Sequence, residues 1–483
     1  MADLLRIRMY RPGFGDCFLL SFPKQEGGCF QMLIDCGVHG QYRGGADRMR
    51  EVVKKLRQHT DGHLDVVAVT HEHADHVSGF YKGREDFEKM TLGEVWFAWT
   101  EDPENEFARR LDRHRFRMLE ALRGAERRLR ANANPAAENL RELLGFFEVE
   151  EGDFGVSTRD ARNAIRDRVP KERRRYLEPK KKVLTLPGVE GVRIFVLGPP
   201  VDEKLLEAAD PTGEEGEVYE GEGHELRLAS GELLGVGAAG KRLAFNTVDD
   251  SRAEAGQPFA GDHRIPFEQV RARPDLHPFF HEHYGFGEDD AQAWRRVDAY
   301  WQDPSESLAL KLDSATNNTS LVLAIELWPK GPVLLFPGDA QVGNWKSWHE
   351  GSWSGEEDGL EAGEEITAKD LLERTVLYKV GHHGSHNATL RDQGLRMMTS
   401  PDLTAMIPVD EEWARSRRPH AWKMPFDPLY EDLLERTRGR ILRTDTGLIE
   451  RPEDTSKKLW KAFEKRIAVE DFWIDLEIPL ERG

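Results

Sequence analysis

The chain has 483 residues, with 87 Asp+Glu against 68 Lys+Arg and a formal charge of −19. Its 39% hydrophobic content, with 12 Trp and 23 Phe, is enough to bury a sizeable core and excludes a chain disordered throughout. The net acidity excludes a basic coat over the whole surface, though not a local basic groove, and an odd set of three cysteines (Cys17, Cys29, Cys36) excludes a disulfide framework.

In chain order, residues 4–9 alternate apolar and basic, 17–22 are apolar, and 30–35 form another short apolar run; all three read as strands. Pro12-Gly13-Phe14-Gly15-Asp16 between the first two is a turn signal. The three cysteines read as small apolar core residues. Residues 47–59 carry helical spacing at Met49, Val52, Val53 and Leu56. Residues 64–70 are a β-branched run, expected to be a buried parallel strand. The order strand, helix, strand implies an α/β layer arrangement.

Residues 101–186 differ in kind. They are rich in Arg, Glu, Leu and Ala, with helical spacing broken at Asn132-Ala133-Asn134-Pro135. Basic residues are dense over 109–130 and 162–182. Such runs read either as a solvated helical face or as a polyanion-binding surface. Strands resume at 192–197, 320–327, 333–336, 376–380 and 403–408. The segments 202–225 and 350–365 are acidic, Gly-rich and expected to be exposed loops. The first residues lack the plan of a signal peptide, and there is no run of 18 apolar residues. The expectation is a soluble, cytoplasmic protein with no membrane insertion.

The chemistry concentrates after the 64–70 strand, in His71-Glu72-His73-Ala74-Asp75-His76. Three imidazoles and a carboxylate within six residues cannot share one strand face. In a loop at the C-terminal end of a strand they can converge on two neighbouring cations, and open α/β sheets place their sites at that end. Nitrogen and carboxylate donors suit Zn²⁺, and also admit Mn²⁺ or Fe.

This H-x-H-x-D-H string resembles the signature of the metallo-β-lactamase fold. Leu33-Ile34-Asp35-Cys36-Gly37 resembles the early strand of that family. Phe336-Pro337-Gly338-Asp339-Ala340 resembles its Gly-Asp motif, and Val380-Gly381-His382-His383-Gly384-Ser385 its late His motif. Gly15-Asp16-Cys17, Asn317-Asn318-Thr319-Ser320 and Leu442-Arg443-Thr444-Asp445-Thr446-Gly447 sharpen the likeness. Together they resemble the hydrolase domain of the ComEC/Rec2 DNA-uptake family, here without a channel.

The resemblance implies an αββα sandwich with a helical insertion. A hydrolase domain would run over 1–450, interrupted by a basic helical insertion at 101–186, with a helix/strand extension at 451–483. It implies two divalent ions, Zn or Mn. One would take His71 and His73, the other Asp75 and His76, with Asp339 bridging them. One of His382 and His383 would complete the second set, with His383 favoured by alignment on the usual Gly-His-Gly. The neighbouring His would contact substrate phosphate or donate a proton. Asp35 would orient a ligand imidazole. Asp75, His382 and His383 would carry the catalysis, and Ser385 and Asn387 would lie within reach of substrate.

One expected motif is missing. Many members supply a further His to the first ion, yet Val196-Leu197-Gly198-Pro199-Pro200 has none. Asn317 or Asn318 could stand over the ions instead. His224, His263, His277, His281 and His283 fall in the interval without a motif, and His281-Glu282-His283 reads as a surface pair. Lys379, just before the late motif, reads as solvated.

The function implied is cleavage of DNA or RNA phosphodiesters by a metal-activated hydroxide, with the basic insertion as the nucleic-acid contact. Two alternatives stand beside it. One is hydrolysis of a small phosphodiester, lactone or thioester. The other is a scaffold with a degenerate metal site that binds a partner protein.

Overall fold

The computed structural model describes residues 3–131, 136–149, 156–206, 217–218, 273–284, 302–417, 421–453 and 455–480. Two compact units divide the chain: Met1–Asp112, Gly145–Gly223 and Asp313–Gly483 form the first, and Arg113–Leu144 and His224–Leu312 the second.

The first unit is built on two eight-stranded sheets. The first sheet takes β1 (Asp3–Tyr10), β2 (Cys17–Pro23), β3 (Cys29–Cys36), β4 (His63–Val69), β5 (Thr91–Ala98) and β6 (Arg174–Leu177). Strands β1 to β3 pair antiparallel and β3 to β6 pair parallel, so β4 is the buried parallel strand its β-branched sequence implies. The second sheet takes β7 (Leu184–Thr185), β8 (Arg193–Gly198), β9 (Val322–Glu326) and β10 (Val333–Phe336). A separate hairpin, β11 (Ser352–Ser354) and β12 (Glu365–Thr367), then leads to β13 (Thr375–Lys379), β14 (Thr404–Ile407), β15 (Ile441–Arg443) and β16 (Gly447–Leu448) of the same sheet. The 350–365 segment is therefore no simple loop: it holds β11 and the turn that leads to β12, with Trp353 buried in it. Finally β17 (Ile467–Val469) and β18 (Trp473–Leu480) return to the first sheet, where β18 pairs with β1 over its whole length.

Alternation along the strands sorts the core into layers. Phe18, Leu20 and Phe22 of β2, with Met32 and Ile34 of β3, meet Ile194, Leu323, Ile325, Leu334 and Phe336 of the other sheet. The Phe18 and Phe336 rings pack edge-on at 5.5 Å. The intervening residues Leu19 and Leu33, with Val67 and Val69 of β4, face outward. They pack on Met49, Val52, Val53 and Leu56 of α1 (Gly45–His59) and on Val77 and Phe80 of α2 (Ala74–Lys82). Behind the second sheet, the helix Asp427–Thr437 lies on β14 and β15. The architecture is the αββα sandwich expected. Cys17 and Cys36 are buried, as small apolar residues should be; Cys29 is exposed at a strand end, where no side chain covers it from solvent, and departs from that expectation.

Part of the predicted insertion belongs to the first unit. The helix Thr158–Arg166 packs on α2, and β6 joins the first sheet. The second unit holds the Arg-rich stretch of the helix Glu106–Ala131 from residue 113 on, the helix Ala136–Leu144 and the helix His277–Tyr284. Among the described residues, no helix is long and apolar enough to cross a membrane.

Candidate metal centre

Parallel pairing sets the ends of β3 and β4 side by side, since Ile34 is opposite Ala68. Asp35 follows Ile34 in a left-handed conformation, φ 56°. That turn swings its carboxylate onto the next strand's exit: Oδ1 accepts the Thr70 N–H at 2.8 Å and Oδ2 the Thr70 hydroxyl at 2.7 Å. His71, Glu72 and His73 form the loop, and α2 starts at Ala74, with Asp75 and His76 in its first turn. Asp339 comes from the loop after β10. There Gly338 has φ 57°, and a Cβ on it would sit 2.9 Å from the Thr70 Cβ, so this crossing needs glycine. His382 and His383 follow β13 with φ of 43° and 54°. Left-handed non-glycine residues of this kind cost about 1–3 kcal/mol each and concentrate at functional sites.

The imidazoles use their two nitrogens in a common pattern. His71 Nδ1 lies 3.1 Å from the Thr70 hydroxyl and 3.2 Å from that of Ser320, leaving Nε2 for the centre. His76 Nδ1 lies 2.8 Å from Asp35 Oδ2, and its Nε2 is 3.0 Å from Asp339 Oδ2. His383 Nδ1 donates to the Pro408 carbonyl at 2.5 Å, and its Nε2 is 2.8 Å from Asp75 Oδ2. His73 Nδ1 lies 3.1 Å from His71 Nε2. One nitrogen anchored and the other turned inward is how metal-binding histidines are held. Three sets of ligand atoms gather within 4.8 Å: His71, His76 and Asp339; Asp75, Asp339 and His383; and Asp16, Asp35 and His76. Asp339 stands in the first two.

Residues 10–226 match the metallo-beta-lactamase superfamily model. Members of that superfamily are mostly metal-dependent hydrolases. The matched span holds Asp35 and His71 to His76; Asp339 and His383 lie beyond it and reach the same point through the fold. The match is to the superfamily and does not single out the DNA-uptake branch. No curated protein and no solved structure matches the chain.

The donor set fits divalent cations. Five carboxylates, Asp16, Asp35, Asp75, Asp313 and Asp339, are buried here, each 6% exposed or less. Lys379 brings an ammonium among them, contacting Asp16 Oδ2 and lying 3.1 Å from Asp339 Oδ1. Burial, with Asp75 and Asp339 beside it, pushes the Asp313 carboxyl well above its usual value; such a cluster of buried acids is costly to ionise unless cations neutralise it. Asp75 Oδ1 is buried without a hydrogen-bond partner, as a ligand atom is when no ion is counted. Burial pulls His71 well below its ordinary value and His73 to about 3; both are neutral rings with a lone pair to give. Burial also opposes protonation of His76, but Asp339, Asp16, Asp75 and Asp35 outweigh it and push its value up.

The remaining expectations fare differently. Lys379 is buried, not solvated, because Asp16 and Asp339 reward its charge at that depth. Its Nζ also donates to the Gly338 carbonyl at 2.9 Å, which helps fix the Asp339 loop. Asn318 faces the protein: its Oδ1 accepts the backbone N–H of Gln341 at 3.1 Å and of Asn344 at 3.3 Å. Asn317 Nδ2 donates to Asp313 Oδ2 at 3.2 Å. His382 donates its backbone N–H to Asp339 Oδ1 at 2.8 Å, and its Nδ1 lies 3.0 Å from the Ser385 hydroxyl. His382 Nε2 is buried without a hydrogen-bond partner. Asn387 lies behind Ser385, whose hydroxyl is 3.2 Å from Asn387 Oδ1. His224 and His263 lie outside the described residues, and His283 is exposed on the helix His277–Tyr284.

Reading the sequence missed Asp16 and Asp313 as members of this centre. Asp16 sits in a quoted motif, but its place beside Lys379, Asp35 and His76 appears only in the fold. Asp313 had no motif at all. The basic stretch 162–182 is largely spent inside the first unit. Arg162 pairs with Glu72 at 2.5 Å and also with Glu101. Arg168 and Arg174 bond the carbonyls of Met90 and Val169, and Lys180 bonds that of Trp348. Arg166, Arg175 and Lys181 pair with Asp167, Glu94 and Glu178.

Proposed function

We propose that the chain is a phosphodiester hydrolase that works with two divalent ions, Zn²⁺ or Mn²⁺. The observation that carries this reading is Asp339, whose carboxylate belongs to both a His71/His76 set and an Asp75/His383 set. A shared carboxylate is what holds two ions close enough to act on one group. The resemblance assigns His71 and His73 to one ion and Asp75, His76 and His383 to the other; the ligand-atom sets instead group His76 with His71 and leave His73 outside. His383 is preferred to His382 because its Nε2 already points at Asp75 and its Nδ1 is anchored. Ions bound there would lower the pKa of a water toward neutrality and polarise the oxygen of a bound phosphodiester.

The protein's own groups supply the rest. Asp35 and the Pro408 carbonyl hold the imidazoles in the tautomer that presents a lone pair inward. Burial lowers His382 to about 4 despite the neighbouring Asp339, so the ring is neutral near pH 7. Its unpartnered Nε2 can then hydrogen-bond a substrate oxygen, with Ser385 fixing the ring from Nδ1. Phe14, whose ring centroid is 3.8 Å from that of His383, and Phe147, 4.8 Å from His73, wall the centre and help keep out bulk water.

DNA or RNA is the substrate favoured by the resemblance to the DNA-uptake hydrolases. A small phosphodiester is the second reading, favoured by one observation: Arg162, Arg168, Arg174 and Lys180 of the basic stretch bond carboxylates or carbonyls of the protein itself. Purified chain loaded with Zn²⁺, Mn²⁺ or Mg²⁺ should cleave single-stranded DNA, double-stranded DNA or RNA. Asp75→Ala should lower the rate by at least about 100-fold, the loss of an ion's charge stabilisation. Cleavage of a nitrophenyl phosphodiester with all polymers left intact would select the second reading. No cleavage of any phosphodiester would overturn both.

A further inference from the structure

Of the four imidazoles assigned to the ions, His71, His73, His76 and His383, three have a close partner on the nitrogen facing away. His73 is the exception. Its Nδ1 is 3.1 Å from His71 Nε2, while its Nε2 faces Asp313 Oδ1 at 3.7 Å. Both facing atoms are buried, and neither has a hydrogen-bond partner. Phe146 and Phe147 flank the His73 ring with centroids at 5.6 and 4.8 Å. They fix its plane and offer no acceptor. Asp313 lies on the helix Gln302–Asn317, four residues before Asn317 and on the same face. The Asn317 amide holds Asp313 Oδ2 at 3.2 Å, which leaves Oδ1 turned to the imidazole.

An ion on one ring nitrogen forces the proton onto the other. If His73 binds through Nδ1, Nε2 becomes a buried donor, and a buried donor needs an acceptor. We propose that Asp313 is the positioning residue of His73: its Oδ1 accepts the Nε2–H of the ion-bound ring. It would thus do for His73 what Asp35, the Thr70 and Ser320 hydroxyls and the Pro408 carbonyl do for the other three. The pair needs to close by less than 1 Å from its 3.7 Å separation to reach ordinary hydrogen-bond distance.

The proposal rests on the two-ion reading, and a zinc titration of the full chain separates the two. Zn²⁺ is titrated against a competing chelator, and Co²⁺ absorption spectra are recorded in parallel. Wild type should bind zinc; a wild type that binds none overturns the metal reading itself, and this proposal with it. Asp313→Leu should weaken one zinc by about 10–100-fold, the usual effect of removing such a partner, and leave the other unchanged. Asp313→Asn, which keeps a carbonyl acceptor, should recover part of the loss. In a His73→Ala background, Asp313→Leu should cause no further loss, and its cobalt spectrum should match that of His73→Ala alone. Circular dichroism checks folding, and Asp313→Ala carries the same expectation should the Leu variant fail to fold. Zinc binding by Asp313→Leu or Asp313→Ala equal to wild type would overturn the proposal. So would an undiminished loss in the His73→Ala background.

Discussion

Lys379 shows how a residue's meaning depends on what the fold brings to it. A lysine after a strand is ordinarily solvated, and nothing local in Val376-Leu377-Tyr378-Lys379 says otherwise. The acids that capture it lie 40 positions away at Asp339 and at Asp16, on a turn from the start of the chain. Burial works against its charge, but the two carboxylates outweigh it and raise its pKa. Lys379→Met should therefore leave two buried carboxylates facing each other. The expected cost is about 3–5 kcal/mol of stability in urea denaturation, the penalty of breaking a buried pair. Added Zn²⁺ should recover part of it, and a midpoint equal to wild type with or without zinc would contradict this role. His71, His73, Asp75 and His76 could be proposed from the sequence because neighbours in sequence there are neighbours in space, whereas Asp35, 41 positions from His76, was named only through the resemblance. Asp313 was not legible, because its approach to His73 comes from a helix whose neighbours in sequence carry no pattern.

Among elements, the metal loop is pinned from the far side by the helix Thr158–Arg166. Glu72, the one carboxylate of the loop that turns away from the centre, pairs with Arg162, which also holds Glu101. Arg162 is 7% exposed, and the burial that disfavours its charge is outweighed by those two acids. Arg162→Met should strand Glu72 and Glu101 in the interior and cost about 3–5 kcal/mol. Hydrogen exchange should then quicken in α2 ahead of β13, which has no part in the pair; uniform exchange along both would count against a local pin. The sequence suggested a polyanion surface for this stretch because charge density shows at once and charge partners do not. Strands β1 to β4 and α1 were legible because a continuous or alternating apolar pattern dictates them; β5 was not read from the sequence. The β11–β12 hairpin was hidden under acidic and glycine residues, and only Trp353 and Ile366, both buried, hint at it.

For the whole molecule, the charge of −19 divides into two populations. Among the described residues, acids outside the centre are largely solvated or paired with Arg and Lys. The five in the centre are buried, and their cost makes folding and ion binding one equilibrium. Chelator-treated protein should accordingly melt earlier than zinc-loaded protein. Zinc held at 1,000 times its dissociation constant adds about 4 kcal/mol for each ion bound. Calorimetry of the two forms checks this, and identical transitions would mean that the carboxylates are balanced some other way. The αββα class was legible from motif order, since each ligand motif ends a strand. The division into two compact units was not, because the sequence between 202 and 305 offers too little periodicity to place its elements.

The account depends most on Asp339 being shared by two ions. Metal content per chain, measured by plasma mass spectrometry after zinc loading and desalting, tests this directly. Wild type should retain two zinc ions, and Asp339→Asn, with the fold kept, should retain fewer than one. Two ions retained by Asp339→Asn, or none by wild type, would contradict it.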